Sequence, residues 1–163
     1  MTAYMDKIMQ LDAVHAWRAD LRRHGTTLVM TNGCFDLLHP GHVDYLNRAA
    51  DEGDALLVAA NGDDSIRALK GPRRPIIPAS GRALMLAALA AVDAVHVFAT
   101  RDCVALIEQV QPDVYVKGGD YDLDSINQGE REVLERLACR IAFVPFLPGY
   151  STSSICARLR ATE

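Results

Sequence analysis

His39-Pro40-Gly41-His42 sets two imidazoles three residues apart, where an apolar run gives way to a helical pattern. Side chains of this type and spacing can ligate a metal, exchange protons, or donate hydrogen bonds to phosphate; equally, they can simply cap a helix start. A metal centre needs a third ligand, and His15, His24 and His96 fall in other segments. A phosphate site needs only donors. Phosphoryl and nucleotidyl transfer run on positioning and charge stabilisation, without a protein nucleophile. The stretch Thr31-Asn-Gly-Cys-Phe-Asp-Leu-Leu-His-Pro-Gly-His42 therefore reads as a nucleoside triphosphate site. The backbone at Gly33 and Cys34 would let phosphate approach closely.

Two remote segments could serve the same site. Lys70-Gly-Pro-Arg-Arg-Pro-Ile-Ile-Pro78 breaks all periodicity and reads as an exposed loop. Its cations, Lys70, Arg73 and Arg74, either solubilise the loop or close over a bound anion. Gly149-Tyr-Ser-Thr-Ser-Ser-Ile155 places hydroxyls before a helix. Taken alone that is an N-cap; beside the histidines it is a phosphate cradle.

These residues need a frame, and the hydrophobic pattern supplies one. Leu11 to Arg23 has helical spacing and stops at Gly25, a lead-in helix. Thr27 to Thr31 is a first strand, and Val43 to Glu52 a helix. Ala55 to Ala60 is a continuous apolar run, as in a parallel strand covered on both faces. A short helix, Ser65 to Leu69, precedes the Lys70 loop. Ser80 is placed to cap a helix from Arg82 to Ala91. Ala94–Phe98, Asp113–Lys117 and Ile141–Phe146 read as strands. Asp102–Val110, Asn127–Ala138 and the segment from Ser151 to about Arg160 read as helices.

Strand and helix alternate throughout, the mark of a doubly wound, Rossmann-like α/β fold. A five-stranded parallel sheet in the order 3-2-1-4-5 would bring the ends of strands one, four and five to one rim. That rim would carry His39–His42, Lys117–Tyr121 and Ser151–Ser154, and such a crevice is the usual ligand site of an open α/β sheet.

Composition narrows the class. The chain has 163 residues, half of them hydrophobic, with a net charge of −4. It has the length of one domain with a real core, residues 1–163. The acidic balance argues against nucleic acid as partner. No window has the length of a membrane span, and no signal peptide is visible. Four separated cysteines without a C-x-x-C pair read as reduced thiols in a cytoplasmic protein, with no metal site. Neither G-x-G-x-x-G nor G-x-x-x-x-G-K-[ST] is present.

The Thr31–His42 stretch resembles the HxGH signature of the nucleotidyltransferase superfamily, in its cytidylyltransferase-like form. The Ser151 turn resembles that superfamily's second signature, and Leu69-Lys70-Gly71-Pro72 its lysine segment. Pro112-Asp-Val-Tyr-Val-Lys-Gly-Gly-Asp-Tyr121 closely resembles a segment of the heptose 1-phosphate adenylyltransferases. The resemblance covers about residues 10 to 160. It implies transfer of AMP from ATP to a sugar 1-phosphate, with Mg²⁺ carried largely by the triphosphate. His39, His42 and Lys70 would be catalytic. Thr31, Asn32, Gly33, Cys34, Phe35, Gly41, Arg82, Lys117, Gly118, Ser151, Thr152 and Ser153 would bind nucleotide. Asp36, Lys117 and Asp120 would bind the sugar phosphate. Each has a plainer role open to it: Lys117 as a strand-end ion pair, Asp36 and Asp120 as fasteners of their turns. Relatives are often homodimers. Many members place a sugar kinase domain before this one; 163 residues leave no room for it, which implies a stand-alone form. Two features depart from the pattern. Ser80-Gly81 stands for an acidic pair before Arg82, and Phe146-Leu-Pro-Gly149 lacks both the arginine of glycerol-phosphate cytidylyltransferases and the acidic residues of heptose enzymes. A cytidylyltransferase for a polyol or amino-alcohol phosphate is the alternative. A nucleotide-binding module without activity is the other.

Overall fold

Ala55-Leu-Leu-Val-Ala-Ala-Asn61 shows no apolar–polar alternation, and in the computed structural model it is buried from end to end. It is β2, near the middle of a sheet covered on both faces. The structure describes residues 3–119 and 124–161. In chain order the elements are α1 (Leu11–Arg23), β1 (Leu28–Gly33), α2 (Pro40–Ala50), β2 (Ala55–Asn61), α3 (Asp63–Lys70), α4 (Ala79–Ala87), β3 (Ala94–Phe98), α5 (Val104–Val110), β4 (Val114–Gly118), α6 (Gln128–Arg136), β5 (Arg140–Val144) and α7 (Thr152–Arg160). All strand pairs are parallel, in the order β3-β2-β1-β4-β5. The expected doubly wound α/β sheet is the observed one.

Alternate residues of each strand feed two cores, as the period of two requires. Val29, Leu56, Val58, Val95 and Val116 face Leu46 and Ala49 of α2 and Ala83 and Leu86 of α4. Leu28, Met30, Leu57, Ala94 and Tyr115 face Val14 of α1, Ile107 of α5 and Leu134 of α6. So α2 and α4 cover one face, and α1, α5 and α6 the other.

Several boundaries differ from the sequence reading. Helix α2 starts at Pro40 rather than Val43, with His39 as N-cap and proline at the first position. Proline has no N–H to lose there, and its φ suits a helix. The N-cap of α4 is Pro78, not Ser80, which lies within the first turn. Lys70 is the last residue of α3, and Gly71 leaves that helix with φ of 96°. Strand β5 ends at Val144 rather than Phe146. Pro145 follows directly and brings no backbone donor to continue the ladder.

At the other end of the sheet one carboxylate joins three elements. Asp113, just before β4, accepts hydrogen bonds from both terminal nitrogens of Arg18 in α1, at 2.9 and 2.8 Å, and from Leu28 N–H of β1 at 2.7 Å. Partial burial works to raise its pKa. The guanidinium and the Leu28 N–H outweigh that and hold it below the ordinary 3.8. Its stabilisation is therefore in place above the unfolded value near 3.8, and is lost as pH falls through the lower folded-state value. Asp113→Asn is expected to lower the urea midpoint at pH 7. It should also flatten the fall in stability below about pH 4, read from urea titrations across the acid range.

Candidate functional site

The carboxyl ends of β1, β2 and β4 open into a cavity of about 650 Å³. Among the residues expected to serve the site, its wall includes Asn32, Gly33, Cys34, Phe35, Asp36, His42, Lys70, Lys117, Gly118 and Thr152. It lies where the chain order reverses about β1, whose neighbours are β2 and β4.

The two histidines stack at the start of α2, ring centroids 3.8 Å apart and planes 25° apart. Gly41 makes this possible. A Cβ there would lie 3.0 Å from the His39 ring and 3.3 Å from the Cβ of Tyr150. The Nδ1 atoms of both rings are buried without a hydrogen-bond partner among the described residues. Burial lowers the pKa of His39. His42 falls further, to about 4, through burial first and then the neighbouring His39 and Lys70 charges. Both shifts favour the uncharged imidazoles. An anion placed against them would supply acceptors and favour protonation.

The turn between β1 and α2 is held rigidly. Phe35 and Leu37 adopt φ of 48° and 53°, an uncommon backbone region for residues with a Cβ. Asp36, between them, is almost fully buried. It accepts from the N–H groups of Ile76 and Ile77 at 3.0 Å and from Arg74 at 2.9 Å. Burial would raise its pKa, but these donors bring it below the ordinary carboxylate value. Of the two roles open to Asp36, the structure uses it to fasten turns. Its carboxylate is engaged by protein donors and is not a free acceptor for sugar hydroxyls.

Arg82 and Thr31, expected at the nucleotide, have side chains that meet internal partners. Arg82 is fully buried, behind the wall residues Cys34 and Asn61. Its guanidinium donates to the carbonyls of Ile77 (3.0 Å), Cys34 (2.7 Å) and Asn61 (2.7 Å), and to Asp63 (2.8 Å). Those bonds tie the loops around the site together. Thr31 is also fully buried, and its hydroxyl lies 2.6 Å from the Tyr45 hydroxyl.

The Ser151 turn also divides its tasks. Ser151 is the N-cap of α7, in a reciprocal capping box with Ser154. The Thr152 hydroxyl donates to the Asp36 carbonyl at 2.9 Å, and Ser153 is exposed. With Tyr150 against Gly41, these contacts bring the amino end of α7 beside that of α2. The first turns of two helices and the exposed Lys70, whose charge acts on His42, thus meet near the histidines.

Across the strand ends a buried carboxylate does the holding. Glu130, in the first turn of α6, takes an ion pair from Lys117 Nζ at 2.9 Å. It also accepts the Cys103 N–H at 3.0 Å and the Asn32 amide at 3.3 Å. Lys117 Nζ also donates to Asn32 Oδ1 at 2.7 Å. Lys117 is therefore both the strand-end ion pair and part of the cavity wall. Asp120 lies outside the described residues. Nearby, Phe146 packs on Gly118 and Gly119, where added Cβ atoms would lie 2.7 and 2.2 Å from its ring.

Glu130, Arg101, Asp102, Asn127 and Phe146 line the cavity and were missed in the sequence. One signal was available: Asn127-x-x-Glu130 has the spacing of a capping pair, and Asn127 Oδ1 does accept the Glu130 N–H. Nothing local marks Arg101.

A cytidylyltransferase-like family model matches residues 30–158. The bifunctional protein HldE of Alcanivorax borkumensis is 46% identical over 144 residues, covering 88% of this chain and 30% of that protein. That of Alkalilimnicola ehrlichii is 48% identical over 143 residues, again covering 88% of this chain and 30% of the relative. The chain thus spans about a third of the length of these relatives. The crystal structure of the lipopolysaccharide core biosynthesis protein from Thermoplasma volcanium matches with a TM-score of 0.63 and 27% identity, covering 76% of this chain and 98% of that one.

Two measurements check this geometry. Arg82→Ala would leave buried carbonyls and Asp63 without their donor, and should cost about 3–5 kcal/mol of stability in urea denaturation. In an NMR titration the His42 imidazole should show a midpoint near 4. Inorganic triphosphate should move that midpoint upward, because an adjacent anion favours the imidazolium.

Proposed function

The chain belongs to the cytidylyltransferase-like family, and from that premise we propose that it transfers AMP from ATP to a sugar 1-phosphate, most specifically a heptose 1-phosphate, releasing pyrophosphate. The observation that carries this reading is the stacked His39–His42 pair at the α2 start, with His42 and Lys70 lining one cavity beside the α7 start. An oxygen of the acceptor phosphate attacks the α-phosphorus in line. The bond from that phosphorus to the oxygen bridging to the β-phosphate breaks, and its electron pair leaves with pyrophosphate. The acceptor phosphate is already ionised at neutral pH, so no general base is required. The histidine pair donates hydrogen bonds as charge builds on the leaving group, and Lys70 and the α7 start hold its far end. The backbone of Gly33, Cys34 and Phe35 lies along the triphosphate. Gly118 and the Phe146 ring offer an apolar surface to the base.

Mg²⁺ would be held mainly by phosphate oxygens and water. Among the described residues no three His, Cys, Asp or Glu side chains group as metal ligands. ATP and a heptose 1-phosphate are supported by the Pro112–Tyr121 segment, by the similarity to HldE proteins, and by the fold match to a lipopolysaccharide core biosynthesis protein. The same reading makes the protein a cytoplasmic homodimer. No helix among the described residues is long and apolar enough to cross a membrane, and all four cysteines are free thiols.

Pyrophosphate release with heptose 1-phosphate, compared between ATP and CTP, tests the assignment; faster turnover with CTP would overturn the choice of base. His42→Ala should lower kcat by about 10²–10³-fold while leaving the circular dichroism spectrum intact. Near-normal turnover would remove His42 from the mechanism.

A further inference from the structure

The cavity does not end at the histidines. It runs over the strand ends from the face covered by α2 to the face covered by α5 and α6, where Arg101, Asp102, Asn127 and Glu130 line it. Resting on the adenylyl-transfer reading, we propose that this far lobe is the acceptor subsite, with Arg101 contacting the acceptor phosphate and Glu130 as the positioning residue that builds the lobe.

Three observations carry this. The first is direction. In-line displacement puts attacking and leaving oxygens on opposite sides of the α-phosphorus. With pyrophosphate held at the α2 and α7 starts, the attacking phosphate must arrive from the α5–α6 side. The second is charge. Arg101 is exposed in the wall and makes no hydrogen bond or ion pair among the described residues. A guanidinium presents the planar fork that recognises phosphate oxygens. Beside it, Asp102 contributes carboxylate oxygens. Asn127, whose carbonyl oxygen caps α6, has an amide NH₂ left to offer. An anion donor next to hydroxyl partners suits a sugar monophosphate. The third is construction. Glu130, with its side chain 4% exposed, takes the Lys117 ammonium and the Cys103 N–H, so one buried carboxylate ties the end of β4 to the loop carrying Arg101. A buried carboxylate is costly unless its partners are in place, and here they span the lobe.

The test is a kinetic split. For Arg101→Ala the KM for heptose 1-phosphate should rise about tenfold or more, the loss of a charge-assisted hydrogen bond, while the KM for ATP stays within about twofold. Arg101→Lys should recover part of the loss. Glu130→Gln should shift the acceptor KM in the same direction; if it fails to fold, the exposed Arg101 still decides the matter. Calorimetry of heptose 1-phosphate on enzyme loaded with a non-transferable ATP analogue reads the subsite without turnover. An unchanged acceptor affinity in Arg101→Ala, or a loss confined to ATP, overturns the proposal. Wild-type protein that binds the sugar phosphate through Arg101 yet never releases pyrophosphate would refute the transfer reading and leave the subsite standing.

Discussion

One guanidinium holds half of the site together. Arg82 has no exposed surface, and its N–H groups meet the carbonyls of Cys34, Asn61 and Ile77 and the carboxylate of Asp63. A buried cation is tolerable only with acceptors of this kind around it. Its acceptors sit in the loop after β1, the end of β2, the start of α3 and the loop before α4. The planar fork fixes their directions as well as their distances. The Phe35 and Leu37 backbone, in a conformation that residues with a Cβ seldom adopt, depends on this anchoring and on the donors around Asp36.

Across the strand ends, Glu130 is the counterpart of opposite sign. It gathers Asn32, Lys117 and Cys103 much as Arg82 gathers its carbonyls. The cavity lies over the strand ends between the two networks. Internal partners hold the buried charges, while Lys70 and Arg101 lie exposed in the wall. The histidine pair is partly desolvated, and burial holds His42 below the ordinary imidazole range. A rigid frame with donors already directed at one place suits chemistry that runs on positioning and charge stabilisation.

Much of this was legible in the residues. The unbroken apolar runs and the alternation of periods led to a parallel sheet in the order observed. The histidines, Lys70, Gly33 and Lys117 were singled out, and His42, Lys70, Gly33 and Lys117 line the cavity. Helix starts were less legible. His39 and Pro78 serve as N-caps without a side-chain hydrogen bond to announce them. Arg82 and Thr31 were assigned to ligand because they lie in or near signature stretches, yet both side chains are turned to internal partners.

What the sequence by itself determined is whatever a short stretch of chain encodes: strand and helix periods, two histidines around Pro-Gly where a strand gives way to a helix, and a contiguous family signature. These follow from local sterics and hydrogen-bonding chemistry. Only the tertiary structure decided which charges face the cavity. Whether a charge is buried and matched or exposed and available depends on partners tens of residues away, such as Cys34 for Arg82, Ile76 for Asp36 and Lys117 for Glu130. The desolvation that separates the two outcomes is a property of the packed molecule, not of any segment.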